Sequence, residues 1–330
     1  MTIPFSVLDL APVPSGATPA DAIRSTLDLA RLVDELGYHR YWLAEHHNTP
    51  GMACPAPEVM IGHVAAVTRN LRVGSGGMML PNHSPLHVAE TFRLLEVLHP
   101  DRIDLGIGRA PGTDPITAHA LRRGVTAEDL PHQLAELFAF ASGGFPPDHP
   151  FRHVHAEPAE AALPPVWILG SSEFGASVAA AFGLGFAFAR HMNPRGAEGV
   201  MKRYRDEFRP SEFRDEPHAI LAMSAIAADD EDQARHLAMS LGLGVVQMRQ
   251  GRPGKLPSPE EAEAYAWNSA EEDQLRRYLR AQVLGSGPQV VATIGTLVDE
   301  TGADEVMILS MIHDHAARRR SYELIAAARS

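Results

Sequence analysis

LRVGSGGMMLPNHSPLHVAETFRLLEVLHPDRIDLGI, residues 71–107, carries the pattern that decides the fold. Leu71–Leu80 reads as a strand, Leu86–Leu98 as a helix and Ile103–Ile107 as a second strand. Such a succession implies a right-handed βα unit in a mostly parallel sheet. The same alternation runs outward in both directions. Upstream, a strand at Phe5–Leu10 leads through the Pro/Gly-rich loop APVPSGATP to a helix over Asp21–Leu36. Thr18 can cap that helix with Pro19 at its first position, and Gly37 stops it. A strand at Tyr38–Ala44 and a helix at Pro57–Thr68 follow. Downstream come a helix over 126–141, a strand at Val166–Gly170, a helix at Phe174–Phe182, and strands at Gly185–Ala189, Ala219–Ala227 and Glu305–Met311.

Eight candidate strands favour a closed (β/α)8 barrel, the TIM-barrel form of the α/β class, over an open sheet that would stop at fewer. One domain over 1–330 is therefore expected. Between the last two strands, the polar stretch Gly251–Pro259 and helices expected at Glu260–Asn268 and Glu271–Leu284 are too long for a plain crossover. Residues 249–284 read as an inserted lid. No internal repeat or low-complexity tract is evident.

Composition sets further bounds. The 330 residues are 45% hydrophobic, enough for a substantial core, and 29 Lys plus Arg against 41 Asp plus Glu give a net charge of −12. That balance argues against a general nucleic-acid or anionic-membrane surface while allowing a local basic site. The lone Cys54 excludes an internal disulfide and a multi-cysteine metal cluster. MTIPFSVLDLAPVPSG lacks the features of a signal peptide and no later stretch is apolar enough to span a bilayer, so a cytoplasmic location is expected.

In a (β/α)8 barrel, ligands bind where the strands end, at the C-terminal mouth. Glu45, His46 and His47 follow the second strand. Adjacent histidines suit either proton chemistry or local capping, and a metal would need partners from other strands because the HExxH spacing is absent. Gly74-Ser75-Gly76-Gly77 in the third strand reads either as a crowded barrel corner or as a place where a flat ligand presses on the backbone. Arg109 leaves the fourth strand among small residues, where it can hold an anion or pair with a rim carboxylate such as Glu45. Ser171 and Ser172 precede a helix and can form a phosphate cradle or simply cap it. Converging on one anion, Arg109 and the two serines point to a phosphorylated cofactor. No GxSxG elbow is present, Cys54 reads as structural, and His313-Asp314-His315 reads as a cap for the last helix.

Three segments, WLAEHHN (Trp42–Asn48), VGSGGMMLPNHSPLHVAE (Val73–Glu90) and HPDRIDLGIGRAPG (His99–Gly112), stand in order on successive strands. In these, and over nearly its whole length, the chain resembles the bacterial luciferase-like flavin monooxygenases, most closely their single-domain oxidoreductase subgroup. The resemblance implies a (β/α)8 barrel, often dimeric, with FMN or the deazaflavin F420 at the mouth. It places the cofactor phosphate near Arg109, Ser171 and Ser172, and the isoalloxazine against Ser75, Gly76 and Gly77 with a non-prolyl cis peptide at Gly76-Gly77. It makes His46 the catalytic residue at the reactive edge of the flavin. Gly108 stands where the luciferases carry a cysteine, which counts against light emission.

The implied activity is oxidation of a small organic substrate with reduced FMN and O2 under a lid that excludes water. No Rossmann fingerprint is present, so a separate NAD(P)H:flavin reductase is expected to supply reduced FMN to a homodimer. Met78, Met79, Phe188 and Met192 suggest an apolar pocket. Three rivals remain: an F420-dependent hydride-transfer enzyme of the same fold, a noncatalytic flavin-binding homologue, and a metal hydrolase. Retention of His46, Arg109, Ser171 and Ser172 argues against the noncatalytic reading.

Overall fold

A computed structural model describes residues 3–122 and 129–329. The strands are β1 (Phe5–Asp9), β2 (Arg40–Leu43), β3 (Arg72–Ser75), β4 (Met78–Met79), β5 (Ile103–Gly108), β6 (Val166–Gly170), β7 (Gly185–Ala189), β8 (Ala219–Ala228), β9 (Val283–Ser286) and β10 (Glu305–Leu309). All pairings among them are parallel, in the order β1-β2-β3-β5-β6-β7-β8-β10, and β10 closes back on β1. β3 and β4 are two halves of one stave, both paired with β5, so the closed barrel has the eight staves expected.

The expected strand over Leu71–Leu80 is broken at Gly76-Gly77, a cis peptide, and Leu80–Asn82 forms a 3-10 helix. The first helix spans Pro19–Glu35 and begins as read: Asp21 N donates to Thr18 Oγ1 at 3.2 Å while Thr18 N donates to Asp21 Oδ2 at 2.9 Å. Gly37 follows it with φ +71°, a conformation that suits glycine. The helix expected over 126–141 is seen at Leu130–Ser142, and residues 126–128 lie outside the described ones.

Between β8 and β10 the chain differs from the reading. The helix expected at Glu260–Asn268 is only Pro259–Glu263, and the next runs Ser269–Ala281 rather than to Leu284. Val283–Ser286 is instead β9, pairing with Ala225–Ala228 where β8 outgrows the barrel. Backbone pairing along the protruding end of β8 thus overrides the helical pattern. Helix Glu231–Arg249, whose apolar pattern is interrupted by Gly242 and Gly244, packs beside this segment.

The barrel interior is layered. At the N-terminal ends of the strands, Arg40 joins Asp104 (Nη1 to Oδ2, 2.7 Å) and Glu305 (Nε to Oε1, 3.0 Å), all three buried. Trp42 Nε1 donates to Asp104 Oδ2 at 3.0 Å. Above them Trp42 and Trp167 meet edge to face at 5.6 Å, with Leu8, Ala222 and Met307 in the same apolar cluster. These side chains form the floor beneath the C-terminal mouth.

Candidate active site

A cavity of about 180 Å³ opens at that mouth, lined mainly by residues on or just beyond β1, β3 to β8 and β10. It brings together Gly76, Gly77, Arg109, Ser171 and Ser172. Of the apolar set expected there, Met79 and Met192 line it, whereas Met78 and Phe188 are buried in the outer core between sheet and helices. Strand alternation sends those two side chains away from the barrel axis. Among the described residues, no group of three or more His, Cys, Asp and Glu is arranged to hold a metal.

Each glycine of the third stave has a steric reason. A Cβ on Gly76 would come within 2.5 Å of Leu8 Cδ1 and 3.0 Å of Trp42 Cβ, and one on Gly77 within 2.9 Å of Gly106 O. The corner is therefore crowded, and bare backbone of Gly76 and Gly77 faces the cavity. Ser75 is different, since its hydroxyl donates to Gly106 O at 2.7 Å and accepts from Gly106 N at 3.0 Å. It is fully buried as a staple between staves, outside the cavity lining.

Across the cavity, Ser172 is the N-cap of helix Glu173–Phe182 but makes no side-chain capping bond. The first-turn N–H groups lie at the cavity rim together with Ser171 and Ser172, a setting that suits an anion. Glu173, the acidic residue in that turn, is drawn to Arg203 at 2.6 Å. The Arg109 guanidinium lies 4.3 Å above the Phe174 ring, which sets the cation beside this rim.

Glu45 organises the opposite wall. Completely buried, its carboxylate accepts from Met79 N (2.8 Å) and Asn82 Nδ2 (2.9 Å), and it meets His47 Nε2 (2.7 Å) and His83 Nε2 (3.0 Å). Burial alone would raise its pKa, but the bonds from His83, Met79 and Asn82 outweigh burial and lower it. Burial would likewise lower the pKa of His83, and the Glu45 carboxylate raises it instead. This hub ties the end of β2 to β4 and so fixes the chain immediately after Gly76-Gly77.

His46 is not among the cavity-lining residues. Its buried Nδ1 has no hydrogen-bond partner among the described residues, and burial outweighs the backbone bond with Ala44 and the pull of Glu45 to lower its pKa. His191, which the sequence reading passed over, does line the cavity. Burial pushes it down to about 4, and its Nδ1 lies 3.4 Å from Ala222 O. Its place two residues beyond β7, at a barrel-strand end, was the available signal. Phe174 and the hub role of Glu45 were also missed, because each depends on contacts between strands distant in sequence.

The remaining candidates are structural. Cys54 is buried, which pushes its thiol up to about 12. Asp314 Oδ1 accepts from Ala317 N at 2.7 Å and caps helix His315–Arg329, while His315 meets Asp28 at 2.8 Å. No helix among the described residues is long and apolar enough to cross a membrane.

Comparison with known proteins converges on the same architecture. The luciferase-like monooxygenase of Escherichia coli (strain K12) is 43% identical over 325 residues, covering 98% of this chain and 96% of that protein. The crystal structure of apo-MsnO8 superposes with a TM-score of 0.88 at 36% identity, covering 99% of this chain and 98% of that one. More distant structures share the fold alone. They include the oxygenating constituent of 3,6-diketocamphane monooxygenase from Pseudomonas putida in complex with FMN (17% identity, TM-score 0.71, covering 99% of this chain and 97% of that one). Another is an F420-dependent secondary alcohol dehydrogenase (13% identity, TM-score 0.66, covering all of both chains). The fold is thus shared by FMN-binding and F420-dependent proteins. Since the family model for luciferase-like monooxygenases matches residues 3–305, on a barrel whose mouth carries the features just described, the chain belongs to that family.

Proposed function

We propose that the protein is the oxygenase component of a two-component flavin monooxygenase, using reduced FMN and O2 to oxidise a small organic substrate. The observation that carries this reading is the meeting, in one cavity, of an uncapped helix N-terminus with Ser171, Ser172 and Arg109 on one side and bare Gly76-Gly77 backbone on the other. One end suits a phosphate and the other suits a flat ring that no Cβ holds away. Reduced flavin bound there would supply the electrons that activate dioxygen.

In this reading Arg109, Ser171 and Ser172 hold the phosphate, and Gly76 and Gly77 support the ring, with Ser75 keeping their staves in register. His46 holds or accepts a proton at Nδ1, its buried and unpartnered atom. Residues 249–284 serve as a lid that limits water at the mouth. A separate NAD(P)H:flavin reductase delivers the reduced cofactor, and the working place is the cytoplasm. The sequence signature favours FMN over F420.

Anaerobic titration with reduced FMN and reduced F420, followed by an oxygen pulse, tests the assignment. Tighter binding of FMN with an oxygen-dependent absorbance change is the expected result. Preference for F420 with no response to oxygen would move the function to hydride transfer, and binding of either without turnover would leave a noncatalytic flavoprotein. For His46, the expected effect of His46→Ala is a loss of substrate-dependent turnover of about 10²–10⁴-fold with reduced-FMN affinity retained. Full turnover in that variant would remove His46 from the chemistry.

The homodimer has a candidate face. Val59 on helix Pro57–Val67 and Leu94, Val97 and Leu98 on the neighbouring helix Pro85–Leu98 are each more than half exposed. Leu94, Val97 and Leu98 stand at helical spacing on one face, and exposed large apolar side chains grouped in this way mark an interaction surface more often than scattered ones do. Val97→Glu combined with Leu94→Glu is expected to turn a dimer into a monomer by light scattering. A wild-type monomer, or a dimer indifferent to both charges, would refute the assignment.

A further inference from the structure

A second pocket lies at the barrel mouth, between helix Glu231–Arg249 and the segment 253–256, with one wall from residues 49–52. Its side-chain lining is almost wholly apolar, with Met52, Leu241, Val245, Met248, Leu256 and Met311 around it. Lys255, the charged residue at its edge, directs its ammonium to Ala17 O at 2.5 Å. Backbone bonds hold the pocket's outer wall in place: Leu256 N donates to Val13 O at 2.9 Å and Ser15 N to Leu256 O at 2.8 Å.

One packed apolar cluster contributes lining residues to both cavities. Met311 and Leu241, which line the second pocket, belong to the same packed cluster as Leu8, Ala222 and Met307, which line the first. A continuous run of packed apolar side chains therefore connects the second pocket with the space assigned to the flavin. Methionines suit such a place, because an unbranched, polarisable side chain adapts to ligands of slightly different shape. At about 90 Å³ the pocket is smaller than the ~150 Å³ apolar cavity known to take benzene, though its open side leaves some room. Its occupant must be compact and uncharged.

We infer that this pocket is the site for a short alkyl or single-ring hydrocarbon group, the apolar portion of the organic substrate, whose reacting atom points towards the first cavity. The inference rests on the flavin monooxygenase reading for that first cavity. Gly244 is the position that tests it. A Cβ there would meet only Pro257 Cδ, at 3.6 Å, so a larger side chain can enter the pocket without striking backbone. In the interior of a helix, replacing glycine also favours the folded state.

The experiment is a titration of fluorobenzene, followed by 19F NMR, into protein saturated with reduced FMN under anaerobic conditions. Saturable binding is expected in the wild type, weakened several-fold by Gly244→Ala and at least about tenfold by Gly244→Leu, as the added side chain takes up pocket volume. Reduced-FMN affinity, measured by absorbance in the same samples, is expected to stay within twofold. Absence of saturable binding, displacement of fluorobenzene by FMN, or indifference to Gly244→Leu would each overturn the inference. Failure of FMN to bind would appear in the absorbance alone, and would overturn the flavin reading even where the fluorine signal behaves as expected.

Discussion

Replacing Arg40 by methionine is expected to lower stability at pH 7 by about 3–5 kcal/mol, the usual cost of removing one member of a buried ion pair. Arg40 neutralises two carboxylates, Asp104 and Glu305, that have no exposure of their own, and it lies 4.7 Å from the Trp167 ring. Asp104 keeps a second partner in Arg72, at 2.8 Å. Glu305 keeps only weaker support from the Ser6 hydroxyl and His218. Methionine matches much of the volume, so the loss should be electrostatic rather than a cavity effect.

The pH dependence separates these causes. Burial would raise the Asp104 pKa, but Arg40 and Arg72 outweigh it; for Glu305 the nearby His218, 3.5 Å away, and the charge of Arg40 do the same. Both folded-state pKa values are therefore below their unfolded ones. Their contribution is present above the unfolded carboxylate range, near pH 4, and is lost as pH falls through the lower folded values. Without Arg40, burial dominates for Glu305 and its pKa rises, so the variant is penalised above that range and relieved on acidification. Urea unfolding from pH 4.5 to 8 should show a stability gap that widens with pH. A constant gap would mean that lost packing, not charge, is responsible. Reduced-FMN affinity should be little changed under native conditions, because this layer lies at the N-terminal end of the barrel, away from the mouth.

The contrast between that layer and the mouth explains what the sequence makes legible. Apolar strands alternating with amphipathic helices report local periodicity, so all eight staves could be placed from runs such as VWILG and EVMIL. Gly76, Gly77, Arg109, Ser171 and Ser172 were legible because residues at strand ends must meet at one mouth once the barrel closes. Arg40, Asp104 and Glu305 gave no comparable signal: their partners lie 64 and 265 positions from Arg40, and only closure brings them together. Ser75 was read with its glycine neighbours, yet alternation along the strand turns its hydroxyl into the staple to Gly106. β9 was hidden for a related reason. Its four residues follow directly on a well-formed helix, and only the overhanging end of β8 gives them a partner.

The strongest effect on ligand binding is expected from Ser172→Asp. Ser172 has the extended φ and ψ (−147°, 168°) of an N-cap, and aspartate is a favoured residue there. Since Ser172 makes no capping bond, the new carboxylate can bond the first-turn N–H groups and stabilise the helix by about 1 kcal/mol. The same carboxylate would occupy the anion site. Two unit charges about 5 Å apart at an effective dielectric near 20 repel by roughly 3 kcal/mol, so affinity for reduced FMN should fall about a hundredfold while thermal stability holds or rises. Reduced riboflavin, which shares the ring but lacks the phosphate, should bind the variant and the wild type alike. Added salt should recover part of the FMN affinity, since screening acts at this partly exposed rim. Equal losses for FMN and riboflavin would place the defect in the ring pocket. Unchanged FMN affinity would place the phosphate away from the helix end, and the convergence of Arg109, Ser171 and Ser172 would then need another ligand to explain it.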